Sequence, residues 1–164
     1  MMPARFTSTQ IALHWLTALL VLAQFLNDGA ISRAFRATMR GAAEIPTSWL
    51  VPVHVFAGIA ILVFTVWRVV LRLSRGAPPP PAEEPRALQI AAAATHGTLY
   101  LLLLLMPLTG FVAWFGGVGA AGGAHEILKT LLLVVIGLHV AGALYHRLIL
   151  KSGVMERMLP ARGR

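Results

Sequence analysis

The stretch from His125 to Leu150 reads HEILKTLLLVVIGLHVAGALYHRLIL, and its reading decides the fold. It exceeds the roughly 20 residues an α-helix needs to cross the hydrocarbon core of a bilayer. It shows none of the strict alternation of a strand. Its three histidines, at 125, 139 and 146, are unusual in so apolar a run. His125 and His139 lie about 21 Å apart along a helix axis at 1.5 Å per residue, and fourteen steps of 100° return them to within about 40° of one face. A helix that presents ionisable rings on one stripe near each of its ends is not built for lipid contact alone.

Three more apolar segments precede it: TQIALHWLTALLVLAQF with His14, LVPVHVFAGIAILVFTVWRVVLRL with His54, and the run containing LYLLLLLMPLTGFVAWF, preceded by His96. The expected spans are about 9–27, 50–73, 88–115 and 125–150. The fold class is therefore all-α, a four-helix transmembrane bundle over a single domain, 1–164. Helices satisfy their own backbone groups in lipid, and a membrane β-barrel would need alternation that is missing here. Composition agrees. Of 164 residues, 57% are apolar and only 12% charged, against about 25% charged in soluble domains. The net charge of +8 flanks the apolar runs instead of forming one basic face, which argues against nucleic acid and for lipid headgroups. With no cysteine, thiolate-held clusters, cysteine nucleophiles and thioether-attached cofactors are excluded. The N-terminal run, broken by His14 and Gln24, does not read as a cleavable leader.

The connections read as a polar loop from Asn27 to Trp49, a stiff linker around Pro78–Pro81 followed by Glu83 and Glu84, and a short flexible GGVGAAGGA from Gly116 to Ala124. Pro107 is expected to kink the third helix. Placing the N-terminus in the cytoplasm puts Arg5, Arg68, Arg72, Arg75, Arg86, Arg147, Lys151, Arg157, Arg162 and Arg164 inside, against Arg33, Arg36, Arg40 and Lys129 outside. The positive-inside rule then gives a multi-pass inner-membrane protein with both termini cytoplasmic.

Depth sorts the histidines. His54 follows the outer loop and suits His125. His14 follows the inner terminus and has either His139 or His146 as partner, which depth alone does not decide. Two pairs at two levels do not make the three- or four-ligand site of zinc, but two facing imidazoles per centre suffice for haem iron. Small residues, with Gly58 and Gly142 foremost, would leave room for a porphyrin, although close helix packing uses glycine too. Arg68 and Arg72 would meet haem propionates or lipid phosphates. His96 finds no partner of matching depth and lies where a quinone arriving through lipid would meet it.

The four contexts IALHW, VHVFAGI, THGTLYLLLLLMPLTG and HEILKTLLLVVIGLHVAGALYH together resemble the bacterial cytochrome b561 proteins, from about Ser8 to Pro160. The resemblance implies two b-type haems: one held by His14 and His139 toward the cytoplasm, one by His54 and His125 toward the periplasm. It places His146 near the inner surface and His96 on the third helix. It implies electron transfer between the periplasmic face and ubiquinone, with superoxide as the donor in the superoxide oxidases of this group. Arg33, Arg36, Arg40 and Lys129 would steer that anion to the outer haem, and His96 or His146 would hydrogen-bond the quinone. The alternative is a cytochrome subunit that relays electrons between a partner hydrogenase or dehydrogenase and the quinone pool.

Overall fold

The computed structural model describes residues 5–159. The order is α1 (Ser8–Leu26), α2 (Asp28–Met39), α3 (Leu50–Arg75), α4 (Arg86–Gly116) and α5 (Gly119–Tyr145). A π-helical turn, His146–Leu150, and a 3-10 turn, Met155–Met158, follow. No strand occurs among the described residues. Four of the helices are long and apolar enough to cross a membrane: α1, α3, α4, and α5 taken through to Leu150. Large apolar side chains such as Leu19, Phe56, Val63, Ile127 and Leu138 are exposed on them. In water that would be costly; in a bilayer it is the lipid-facing surface.

Local chemistry sets the helix ends. Thr7 and Gln10 form a reciprocal capping box at the start of α1, satisfying two otherwise orphaned donors. The Gln10 amide also donates to the Gly76 carbonyl at 3.2 Å, tying the start of α1 to the end of α3. At the other end, Asn27 donates to the Leu50 carbonyl at 3.0 Å and Gln24 to the His54 carbonyl at 2.8 Å. Gly76, with φ 74°, stops α3 in a conformation that disfavours any residue with a Cβ. The two ends are called here the α2 end and the linker end.

The core is a belt of Val21, Ile61, Leu102, Leu103 and Leu132, drawn from all four long helices. Its spacing explains the bundle. Val21 follows His14 by seven positions, Ile61 follows His54 by seven, and Leu132 stands seven from both His125 and His139. Seven positions are two turns, about 10 Å, and return to the same face. One inward stripe on each of these helices thus carries imidazole, then hydrocarbon, and in α5 imidazole again.

Two connections differ from the sequence reading. The expected polar loop 27–49 contains α2, whose buried face is Ala30, Ala34 and Ala37. Asp28 in its first turn and Arg36 in its last complement the helix dipole. The expected flexible stretch 116–124 shrinks to Gly117 and Val118, because α5 already begins at Gly119. Its glycines serve a close approach: a Cβ on Gly122 would stand 2.5 Å from Cε1 of Phe35, which α2 lays against it. α4 stays helical through Pro107. Residues 76–81 are in neither helix nor strand, as the proline run requires. Arg162 and Arg164 of the inner charge set lie outside the described residues.

Candidate functional site

Near the α2 end, α3 and α5 bring His54 and His125 together with ring centroids 6.5 Å apart. The two rings line a cavity of about 580 Å³, together with Gly58, Gly110, Phe111 and Arg36. The His125 orientation is fixed. Its Nδ1 lies 2.9 Å from the Met106 carbonyl, to which it donates, and 3.3 Å from Thr109 Oγ1. That hydrogen bond puts the proton of a neutral ring on Nδ1 and leaves Nε2 with a free lone pair, the arrangement found behind metal-bound histidines. Gly110, one turn after Met106, makes this possible: a Cβ there would stand 3.0 Å from Cε1 of His125. His54 Nδ1 is buried without a hydrogen-bond partner.

Toward the linker end, His14 and His139 face each other at 6.2 Å between centroids. His96 from α4 stands 5.1 Å from His139, so the expectation that it lacks a partner at its depth is corrected. Arg68 of α3 approaches with Nη2 3.1 Å from His14 Nδ1, and its guanidinium lies 5.4 Å from the Tyr100 ring centroid. His146 is not in this cluster. Its Nε2 is 2.9 Å from Glu84 Oε1 and its Nδ1 2.9 Å from Ser152 Oγ. Its Nδ1 is engaged by Ser152, and its Nε2 faces the Glu84 carboxylate without forming a hydrogen bond to it.

The other sequence candidates scatter. Arg33, Arg36 and Arg40 lie on or at the end of α2; all three are exposed, and only Arg36 lines the cavity. Lys129 is no free outer charge: it pairs with Asp28 at 2.9 Å and with Glu126. Gly58 lines the cavity beside Gln24, whereas a Cβ on Gly142 would meet nothing within 4 Å. Arg72 is exposed at the end of α3. Among the described residues no group of three or more histidine or acidic side chains converges on a metal position.

The donor sets fit haem iron. In each pair two imidazoles from different helices stand close, at 6.2 and 6.5 Å between centroids, and such a pair would supply the nitrogens that hold a haem iron. The cavity at the α2 end, with its unpartnered His54 nitrogen, has room beside the pair.

An all-helical membrane bundle with facing imidazole pairs at two levels is the scaffold of a membrane cytochrome. The comparisons give the family. The family model for prokaryotic cytochrome b561 matches residues 5–161. The chain is 33% identical to cytochrome b562 of Cereibacter sphaeroides, over 96% of each chain. It is 29% identical to the probable superoxide oxidase CybB of Yersinia pestis, over 97% of this chain and 98% of that one. It is 28% identical to cytochrome b561 homolog 1 of Escherichia coli, over 96% and 98%. The chain belongs to the prokaryotic cytochrome b561 family, multi-pass membrane proteins of electron transport.

Proposed function

We propose that the chain is a two-haem membrane cytochrome that relays electrons between a redox partner at the α2 end and the quinone pool. The observation that supports this reading is the pairing of histidines at both ends of one bundle, with a hydrocarbon belt between them. Haem b, when bound, supplies a one-electron carrier inside the membrane. His54 and His125 hold it at the α2 end, and His14 and His139 at the linker end. The Met106 carbonyl fixes the His125 ring. Val21, Ile61 and Leu132 keep water out between the two levels. Arg68 is placed to neutralise an anionic substituent of the bound group, and exposed Arg72 suits a lipid phosphate.

A second reading, superoxide as the donor and ubiquinone as the acceptor, is favoured by one specific observation. Arg36 lines the cavity that holds His54 and His125, beside the mutually paired Asp28, Lys129 and Glu126, and among the described residues it has no ion-pair partner, which leaves one guanidinium for an entering anion. The similarity to a protein named as a probable superoxide oxidase supports it.

The test is rapid-mixing spectroscopy on the detergent-purified holoprotein. The reduced haem bands should be reoxidised by a short-chain ubiquinone. Bands that ferricyanide oxidises but quinone does not would overturn the acceptor. Superoxide is then offered as donor: reduction of the bands selects the second reading, and bands that respond only to a co-purifying dehydrogenase select the first.

A further inference from the structure

The two histidine levels differ in charge. At the α2 end the cavity is lined by Asp28, Glu126, Lys129 and Arg36. Lys129 pairs with both acids, so two negative and two positive side chains balance there. The linker end carries Arg68 instead. It is half-buried on α3, with Nη2 3.1 Å from His14 Nδ1 and its guanidinium 5.4 Å from the Tyr100 ring centroid. All 6 acidic residues of the chain are among the described residues, and none pairs with Arg68. Glu84, the buried acid at that end, faces His146 at 2.9 Å. Tyr100, on the neighbouring helix α4, gives the guanidinium a second contact that does not depend on how the His14 ring turns.

The partners of the paired rings differ in the same sense. His125 donates from Nδ1 to the Met106 carbonyl at 2.9 Å. Such a bond makes a ligating imidazole a stronger electron donor, which favours the oxidised metal. A nearby cation favours the reduced metal, because reduction adds negative charge beside it, and it acts more strongly among apolar helices than in water. Arginine keeps its charge at every pH at which the protein is folded, and a half-buried charge is only partly screened by salt. Two haems bring the same charges of their own, so the difference between the levels is left to the protein. Both contributions point the same way.

We propose that Arg68 sets the direction of the relay, by making the linker-end haem the easier of the two to reduce. This rests on the two-haem reading above. One electron leaves the α2-end iron, which is oxidised, and reduces the linker-end iron; no proton or further reactant is consumed. Arg68 exchanges no electron itself. It acts through its charge on the group that His14 and His139 hold.

The test is a spectroelectrochemical titration of the detergent-purified holoprotein, which reads potentials and not turnover. His125→Ala, which keeps only the linker-end haem, supplies the band shape that assigns the waves. In wild type the linker-end wave should lie at the higher potential. Arg68→Gln should lower that wave by at least a factor of about ten in the reduction equilibrium, about 59 mV for one electron, and leave the α2-end wave in place. Arg68→Lys keeps the charge without the planar fork and should restore most of the shift; a role in packing alone would not be rescued this way. Unchanged waves in Arg68→Gln overturn the inference. So do two haems that titrate as one wave, or a linker-end wave at the lower potential, and both outcomes leave the two-haem reading standing. A content of one haem per chain overturns that reading and the inference together. Should Arg68→Gln lose the linker-end haem, the order of the wild-type waves and the Arg68→Lys titration decide: a linker-end wave that is not the higher, or that falls by the same factor in Arg68→Lys, refutes the role of the charge.

Discussion

Gly110 offers a sharp test of whether the α2-end site is organised around one imidazole. A Cβ at this position would stand 3.0 Å from Cε1 and 3.2 Å from Nδ1 of His125. Carbon contacts are comfortable only at about 3.5–4.0 Å, so Gly110→Ala forces the ring back by roughly half an ångström or more. The ring is not free to move without loss, because Nδ1 is bonded to the Met106 carbonyl. Loosening that bond sacrifices about 1 kcal/mol, which largely cancels the 0.5–1 kcal/mol or so that alanine gains over glycine inside a helix. Overall stability should therefore change little while the ligand ring tilts. Losing the partner that orients a metal-bound histidine typically lowers metal affinity about 10–100-fold, and that is the effect expected on haem at the α2 end. Gly97→Ala is the control: it also lies within α4, but its Cβ would meet nothing within 4 Å. It should be neutral or slightly stabilising. The assay is haem titration into haem-depleted protein, followed by absorbance, with thermal unfolding in parallel. Equal haem affinity in Gly110→Ala and Gly97→Ala would refute the reasoning.

Further outcomes are expected from the same geometry. His54→Ala and His125→Ala should each lower haem content from roughly two to roughly one per chain, and the double variant should lose no more, because both rings serve one centre. His14→Ala and His139→Ala should together remove the other haem; a pyridine haemochrome assay showing that His146→Ala, and not His139→Ala, removes it would reverse this assignment. Both haems should be extracted by acidified acetone, since the chain has no cysteine for a covalent link. Reporter fusions at the N-terminus and in the Pro78–Pro81 linker should be active on the cytoplasmic side; periplasmic activity at either would invert the topology. If an anion is the donor, Arg36→Ala and added salt should each slow reduction of the haem bands, through lost charge and through screening; insensitivity to both would remove the electrostatic step.

The four spans were legible because their signal is coarse. Long apolar runs interrupted by proline and arginine allow little besides membrane helices, and the boundaries moved by only a few residues. The histidine levels were legible for a similar reason, since rise per residue converts sequence separation into depth. Three features escaped, each with a physical cause. α2 buries alanines, which carry so little hydropathy beside Arg33 and Arg36 that no apolar stripe stands out. The glycines at 119–123 have low helix propensity and read as a linker, yet Phe35 shows that the missing side chains are what lets α2 approach α5. His96 lies within α4 just before its LYLLLLLM run, which is apolar all round. Such a helix has no sequence-encoded inner face, so its rotation is set by packing, and packing brings His96 to His139.

The same limit explains why depth could not choose between His139 and His146 as the counterpart of His14. The two lie seven positions apart, and on an ideal helix they would share a face and compete. The chain breaks that equivalence with a π-turn starting at His146. The ring meets Glu84 in the linker and Ser152, which the turn brings back beside it. His139 remains on the regular part of α5 and keeps the facing position opposite His14. π-turns of this kind often mark functional sites, because the irregularity costs hydrogen-bond quality and persists where it places a side chain usefully. Here it separates two chemically identical residues into two environments. One imidazole is left to pair across the bundle interior, and the other is committed to an acid and a hydroxyl at its edge.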